Sequence, residues 1–110
     1  MLKMIFTIDD RANCEDWLKE RGLDQREINE KMNELFNYGS NFKAIYTLYG
    51  SKEESMIPDR YELTDFDGNK ININDLNGYE RGILNNCYDH FINQKYKCTW
   101  GIINIKEENI

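Results

Sequence analysis

The three-residue turn at positions 66–68, Phe66-Asp67-Gly68, constrains the fold of this chain more than any other stretch. It lies between two short β-forming segments, residues 61–65 and 69–73. A bulged hairpin needs a left-handed residue at the end of such a turn, and glycine adopts that conformation without steric cost. The resulting register pairs Asp65 with Asn69, Thr64 with Lys70, Leu63 with Ile71, and Tyr61 with Ile73. Because this register places apolar side chains on one face, we predict a hairpin over residues 61–73.

Composition and charge indicate one acidic domain. The 110 residues are 40% apolar and 13% aromatic, which is enough for a single hydrophobic core. We therefore expect residues 1–110 to form one compact domain. The formal net charge of −6 at pH 7 repels phosphate backbones and anionic membranes and favours basic protein partners. We expect no direct binding to nucleic acid or to membranes.

The chain carries no pattern of an exported or membrane-spanning protein. Its opening apolar run is too short for a signal peptide, and no stretch approaches 18 consecutive apolar residues. The three cysteines are an odd number at irregular spacing, which does not indicate a disulfide framework. A reducing cytoplasm is the expected compartment.

A strand and two helices are expected in the first third of the chain. Residues 2–8 alternate, with Leu2, Met4, Phe6 and Ile8 on one side, as in a strand with a buried face. Asp9 or Asp10 then caps a helix that ends at Gly22. The side chains that share one side of this helix are Cys14, Trp17, Leu18 and Arg21.

The second helix has a sharper start signal. Asp24 with Glu27 three residues later forms a variant capping box. Helical spacing then predicts that one stripe is buried and that Gly39 ends the helix. The stripe consists of Ile28, Met32, Leu35 and Phe36.

The remaining elements follow from periodicity. Residues 42–49 are predicted to form a central strand, with a helix as the alternative, followed by an exposed loop at 50–55. After the hairpin, Asn74 or Asp75 caps a helix, in which Gly78 and Gly82 are expected to mark close packing. Its helically spaced apolar positions are Leu76, Tyr79, Ile83, Cys87 and Phe91. A last strand at 96–105 and a polar tail at 106–109 complete the chain.

The predicted order is therefore β-α-α-β-β-β-α-β, an α+β fold in which about three helices cover one face of an antiparallel or mixed sheet of about five strands. Regular βαβ alternation, GxGxxG and a P-loop are absent from the sequence, which argues against a nucleotide cofactor. We expect no cofactor.

Three cysteines and the single histidine form the candidate metal or thiol site. Cys87 and His90 are three residues apart on the last predicted helix, and Cys14 and Cys98 could approach them. Together they would supply the ligands of a tetrahedral zinc site, or a thiolate and its base. Cysteines on apolar helix stripes more often pack as small hydrophobes, and one Cys-x-x-His pair is a weak signal. We therefore expect no metal and no catalytic residues.

The charged surface of the first two helices is the strongest functional candidate. If their apolar stripes face inward, five carboxylates project outward: Asp16, Glu20, Glu27, Glu30 and Glu34. The pairs Glu15/Lys19, Arg26/Glu30 and Glu27/Lys31 are spaced to form ion pairs that partly offset this charge. A solvated helix surface is the ordinary explanation of such a pattern. The functional alternative is a site that binds a basic groove on another protein.

We therefore predict a non-enzymatic protein that blocks a basic protein partner, such as one that handles nucleic acid. Small acidic, aromatic-rich domains without catalytic motifs are the general type of phage anti-defence inhibitors, including anti-CRISPR proteins, and of toxin-immunity proteins. Further anchors could come from exposed aromatics at Tyr38, Tyr49, Tyr88 and Trp100. The alternatives are a small metal-dependent or thiol enzyme using Cys87, His90 and Cys98, and a structural subunit that self-associates through a sheet edge.

Overall fold

A computed structural model describes residues 1–36, 41–51, 57–92 and 98–110. Within these ranges the chain forms four strands, three α-helices and one short 3-10 helix. The elements are β1 (Leu2–Asp9), α1 (Asp10–Glu20), α2 (Gln25–Leu35), β2 (Lys43–Gly50), β3 (Arg60–Thr64), the 3-10 helix (Ile73–Asp75), α3 (Gly78–Phe91) and β4 (Ile102–Asn109). The predicted α+β class and the approximate order of elements are confirmed, with four strands in place of about five.

The sheet is antiparallel, with the strand order β3-β2-β1-β4. β1 alternates as predicted, with Leu2, Met4, Phe6 and Ile8 buried. β2 is a central strand between β3 and β1, and its residues 46–50 are all buried, so both of its faces are covered there, as its apolar residues on both faces indicated.

The predicted turn is present and its register is correct near the tip. Gly68 has a φ of 88°, and the Asp65 carboxylate accepts hydrogen bonds from the backbone N–H groups of Asp67 and Asn69, both at 2.9 Å. Thr64 pairs with Lys70, and the N–H of Ile71 donates to the carbonyl of Leu63 at 3.0 Å. The local turn chemistry therefore fixed this part of the chain.

The second arm of the hairpin ends early, so the predicted pairing of Tyr61 with Ile73 is wrong. The side chain of Asn72 accepts a hydrogen bond from the N–H of Asn74 at 3.0 Å and caps the 3-10 helix that begins at Ile73. A side chain that binds its own backbone in this way competes with ladder pairing. The fifth strand is lost for this reason.

The helix α3 packs on the face of the sheet that buries the even-numbered residues of β1. Its Ile83, Leu84, Cys87 and Phe91 belong to one cluster with the buried residues of β1 and β2. We call this cluster the sheet core. At the end of the sheet Gly101 has a φ of 86°, and an added Cβ there would lie 2.8 Å from Cδ1 of Ile83. The turn before β4 therefore needs glycine both for its backbone and for its packing.

The start of α3 differs from the prediction. Its N-cap is Asn77, which forms a capping box with Glu80, rather than Asn74 or Asp75. Gly78 and Gly82 have open space where a Cβ would stand, so the expectation that they mark close packing is wrong. Leu76 lies before the helix and packs partly against the sheet core.

Among the described residues, the buried side chains of α1 and α2 form a cluster separate from that of the sheet, so the predicted single core is wrong for this part of the chain. Their buried residues are Cys14, Leu18, Ile28, Met32 and Phe36. Trp100 packs against both this cluster and the sheet core. We call α1 and α2 the helical pair and its cluster the helical core. With principal extents of 49 × 29 × 22 Å the molecule is elongated, as expected when two cores share few contacts.

Two side chains predicted to lie in the core are exposed. Trp17 on α1 is 42% exposed and Leu35 on α2 is 58% exposed. The capping box predicted for α2, formed by Asp24 and Glu27, is present. The buried stripe of α1 runs through Cys14 and Leu18, and Trp17 lies at its edge. Leu35 is the last residue of α2. Partial burial at a stripe edge or a helix end is decided by what packs there, which periodicity does not report.

The last strand begins later and extends further than predicted. β4 runs through residues 106–109, which were expected to be a tail, because it pairs with β1 along almost its whole length. An edge strand exposed on both faces needs no apolar alternation, so its polar sequence resembled a tail. The predictions for Tyr38, Gly39, residues 96–97 and most of the 50–55 loop lie outside the described residues.

Candidate protein-binding surface on the helical pair

All five carboxylates of the predicted binding surface lie on the solvent side of the helical pair. Asp16 and Glu20 are exposed on α1, and Glu27, Glu30 and Glu34 are exposed on α2. The two helices bury Cys14, Leu18, Ile28 and Met32. We call the five carboxylates the acidic surface.

Three ion pairs reduce the charge of this region. Lys19 lies 3.4 Å from Glu15, and Arg26 lies 3.5 Å from Glu30, as predicted. Lys31 pairs with Glu34 at 3.5 Å rather than with the predicted Glu27, whose carboxylate accepts from the N–H of Asp24 in the capping box. Exposed helical pairs of this kind are worth about 0.3–0.5 kcal/mol, so a partner could replace them.

Asp16 and Glu20 are the least compensated members of the acidic surface. They lie four residues apart on α1, where like charges repel by a few tenths of a kcal/mol. In the parts of the chain that the structure describes, no cation forms an ion pair with either carboxylate. A basic side chain from another molecule would relieve this repulsion.

Two apolar side chains on the helical pair were missed as surface residues by the sequence prediction. Trp17 is exposed, and the Arg21 guanidinium lies 3.8 Å from its ring centroid. Leu35 is exposed at the end of α2, next to Glu34. Exposed aromatic and arginine side chains supply much of the binding energy in protein interfaces. The only signal in the sequence was the edge position of Trp17 on its helix.

Buried and partly buried hydrogen bonds tie the helical pair to the end of the sheet. Oδ1 of Asp10, which is 2% exposed, accepts from the backbone N–H of Arg11 at 2.9 Å and of Phe42 at 2.8 Å. Asn13 accepts from the N–H of Gly101 at 2.9 Å and donates to the carbonyl of Ile102 at 3.3 Å. These bonds fix α1 against the starts of β2 and β4, so the acidic surface has a defined position.

Trp100 and Tyr79 extend this connection to α3. The indole Nε1 of Trp100 donates a hydrogen bond to the Tyr79 hydroxyl at 2.9 Å. Burial and the negative charge of Asp10 raise the pKa of Tyr79, although the bond from Trp100 opposes that rise. Tyr79 is therefore a neutral phenol at neutral pH, and the connection carries no added charge.

Two of the three cysteines lie in different hydrophobic clusters. Cys14 lies in the helical core and Cys87 in the sheet core. Burial raises the pKa of both thiols, and for Cys14 the Asp10 carboxylate adds to the rise. Protonated buried thiols are poor nucleophiles. Among the described residues, no three His, Cys, Asp or Glu side chains are grouped so that they could hold a metal ion.

The other aromatic candidates are less exposed than a binding anchor would be. Tyr49 is buried, with Arg60 4.0 Å and Lys3 5.7 Å from its ring centroid. Tyr88 and Trp100 are half-buried. These three aromatics serve the packing of the sheet and its surroundings.

Within the described ranges, no helix has the length and apolar character needed to cross a membrane. No protein-family model, curated protein or solved structure matches the chain. The geometry of the helical pair is therefore the main support for a functional proposal.

Proposed function

We propose that the protein is a non-enzymatic binding protein that blocks a basic protein partner through the acidic surface of its helical pair. One observation carries the proposal: five exposed carboxylates lie on the same two helices as the exposed Trp17 and Leu35. Carboxylates around exposed apolar side chains are the ingredients of a docking surface.

The two kinds of side chain have different roles in this proposal. The carboxylates accelerate association with a positively charged groove through long-range attraction, which is screened beyond a Debye length of about 8–10 Å. Trp17 and Leu35 supply apolar area that leaves water on contact. Surface carboxylates that occupy a groove built for phosphates would exclude nucleic acid from it, as in anti-defence inhibitors and toxin-immunity proteins.

The proposal is tested with a charge-reversal variant. The triple change Glu20→Lys, Glu30→Lys and Glu34→Lys leaves the capping residue Glu27 intact. Exposed reversals of this kind change stability by about 0.5 kcal/mol or less each, whereas like-charge contacts in an interface cost several kcal/mol. We expect the wild-type protein to capture a basic protein from a bacterial lysate and the triple variant to lose it. Mass spectrometry identifies the captured protein, and thermal unfolding checks the fold.

A matched control carries the same charge change elsewhere. Glu62→Lys, Asp67→Lys and Asp75→Lys alter three exposed carboxylates outside the helical pair. This variant should retain the partner with wild-type affinity. If the helical triple variant binds the captured protein with wild-type affinity and salt dependence, the acidic surface is only a solvated surface and the proposal fails.

Self-association through β4 is the second candidate function. β4 is an eight-residue edge strand that pairs only with β1 in the described sheet, and its Ile103 and Ile105 are 42% and 37% exposed. Such an edge can pair with another strand. Light scattering separates the candidates, because self-association would give a mass above the 13.2 kDa of one chain.

A further inference from the structure

A cleft of about 330 Å³ lies between the two helices of the helical pair. Arg11 and Glu15 from α1 face Asn29, Met32 and Asn33 from α2 across it. The volume falls at the lower end of the range for ligand pockets in proteins. None of these five residues belongs to the acidic surface, so the cleft is a separate feature of the same two helices.

Several polar groups at the cleft have no partner within the described chain. The Arg11 guanidinium lies 5.7 Å from the Phe36 ring centroid, and no described carboxylate forms an ion pair with it. Oδ1 of Asn29 accepts from Gln25 Nε2 at 2.9 Å, which leaves its Nδ2 group as a donor. The side-chain amide of Asn33 forms no hydrogen bond to any described residue. The uncommitted groups are mainly donors.

Among the described residues that line the cleft, Glu15 is the one acidic group. Its carboxylate lies 3.4 Å from the Lys19 ammonium, which offsets its charge. It still adds negative potential beside Arg11, in a chain whose net charge is −6. A ligand with two negative charges would be repelled more strongly than a ligand with one.

We propose that this cleft binds a monocarboxylate with a short apolar body. The planar guanidinium fork matches the two oxygens of a carboxylate, and the amide N–H groups of Asn29 and Asn33 donate to the same oxygens. The Met32 side chain provides an apolar contact for the body of the ligand. This binding is independent of the proposed docking of a basic partner on the acidic surface.

The test uses butyrate as the probe and the neutral isostere butyramide as its control. Titration of the wild-type protein at constant ionic strength should shift the side-chain amide NMR signals of Asn29 and Asn33 to saturation at millimolar butyrate. Butyramide should not shift them. Arg11→Gln should weaken the butyrate midpoint about tenfold or more, because a hydrogen bond to a charged group is lost.

Two further variants separate a built site from general charge. Arg26→Gln removes an exposed arginine that is paired with Glu30 outside the cleft, and it should leave the midpoint unchanged. Glu15→Gln removes the opposing charge and should tighten binding several-fold. Far-UV circular dichroism confirms that each variant keeps its helices.

Three results would overturn the proposal. The amide shifts could grow linearly without saturation, Arg26→Gln could weaken binding as much as Arg11→Gln, or inorganic phosphate could bind as tightly as butyrate. A linear shift would show that the cleft has no saturable site. Either of the other two results would show that Arg11 acts as general positive charge rather than as part of a carboxylate site. None of them bears on partner capture by the acidic surface, so failure of the two proposals is distinguishable.

Discussion

The two adjacent aspartates at the start of α1 have different tasks. Asp9 caps the helix by accepting from the N–H of Ala12 at 3.1 Å, while Asp10 is buried and binds the backbone of Phe42. The sequence predicted a cap at one of these two positions but could not distinguish them. The distinction depends on Phe42, which is 32 residues away and reaches Asp10 only in the folded chain.

Asp10→Ala should destabilise the protein by about 1–3 kcal/mol, because the buried N–H of Phe42 would lose its acceptor. Asp10→Asn keeps an oxygen at the same place and should cost less. Urea unfolding of the two variants measures the difference. Asp16→Ala, an exposed aspartate of the same helix, is the control and should stay within about 0.5 kcal/mol of wild type. An Asp10→Ala variant as stable as wild type would show that water replaces the carboxylate.

Among the elements, those with local signals were the most predictable. The turn at Gly68 and the capping box of Asp24 and Glu27 depend on residues at most four positions apart, and both are present. The second arm of the hairpin and the extent of β4 were not predictable in the same way. The hairpin arm ends where the Asn72 side chain, rather than a neighbouring strand, accepts a backbone hydrogen bond. The length of β4 is set by its pairing with β1.

The buried stripe of α2 provides a direct test at the scale of one helix. Met32 is 8% exposed and Leu35 is 58% exposed, although the spacing of both residues fitted the predicted stripe. Met32→Ala should cost about 2–5 kcal/mol, as is usual when a buried side chain is truncated. Leu35→Ala should cost about 0.5 kcal/mol or less. Chemical denaturation that shows equal losses for the two variants would contradict the phase of the helix.

At the scale of the whole molecule, the division into two cores was the least predictable feature. Apolar spacing shows which face of each element is buried, but it does not show which elements share a core. Among the described residues, the helical core contains five buried side chains, whereas the sheet core contains fourteen. The smaller core has less apolar area to oppose local opening, so we expect the helical pair to be the less stable unit.

Trp100 packs against both cores, and its indole N–H donates a hydrogen bond to the hydroxyl of Tyr79 on α3. Trp100→Ala removes the packing and the hydrogen bond, so amides of α1 and α2 should exchange with solvent faster than in wild type. Amides of β1 and β2, held by their own ladder and by α3, should keep most of their protection. Native-state hydrogen exchange followed by NMR measures both groups in one experiment.

Two control variants make the outcome specific to Trp100. Trp100→Phe keeps an aromatic ring but loses the N–H group, so it should speed amide exchange in α1 and α2 less than Trp100→Ala does. Trp17→Ala truncates an exposed tryptophan of α1 and should change exchange little in either group. If Trp100→Ala instead lowered protection equally in β1, β2, α1 and α2, the two cores would unfold as one cooperative unit. The acidic surface would then be as rigid as the sheet, and a partner would meet a preformed site with no cost of ordering the helical pair.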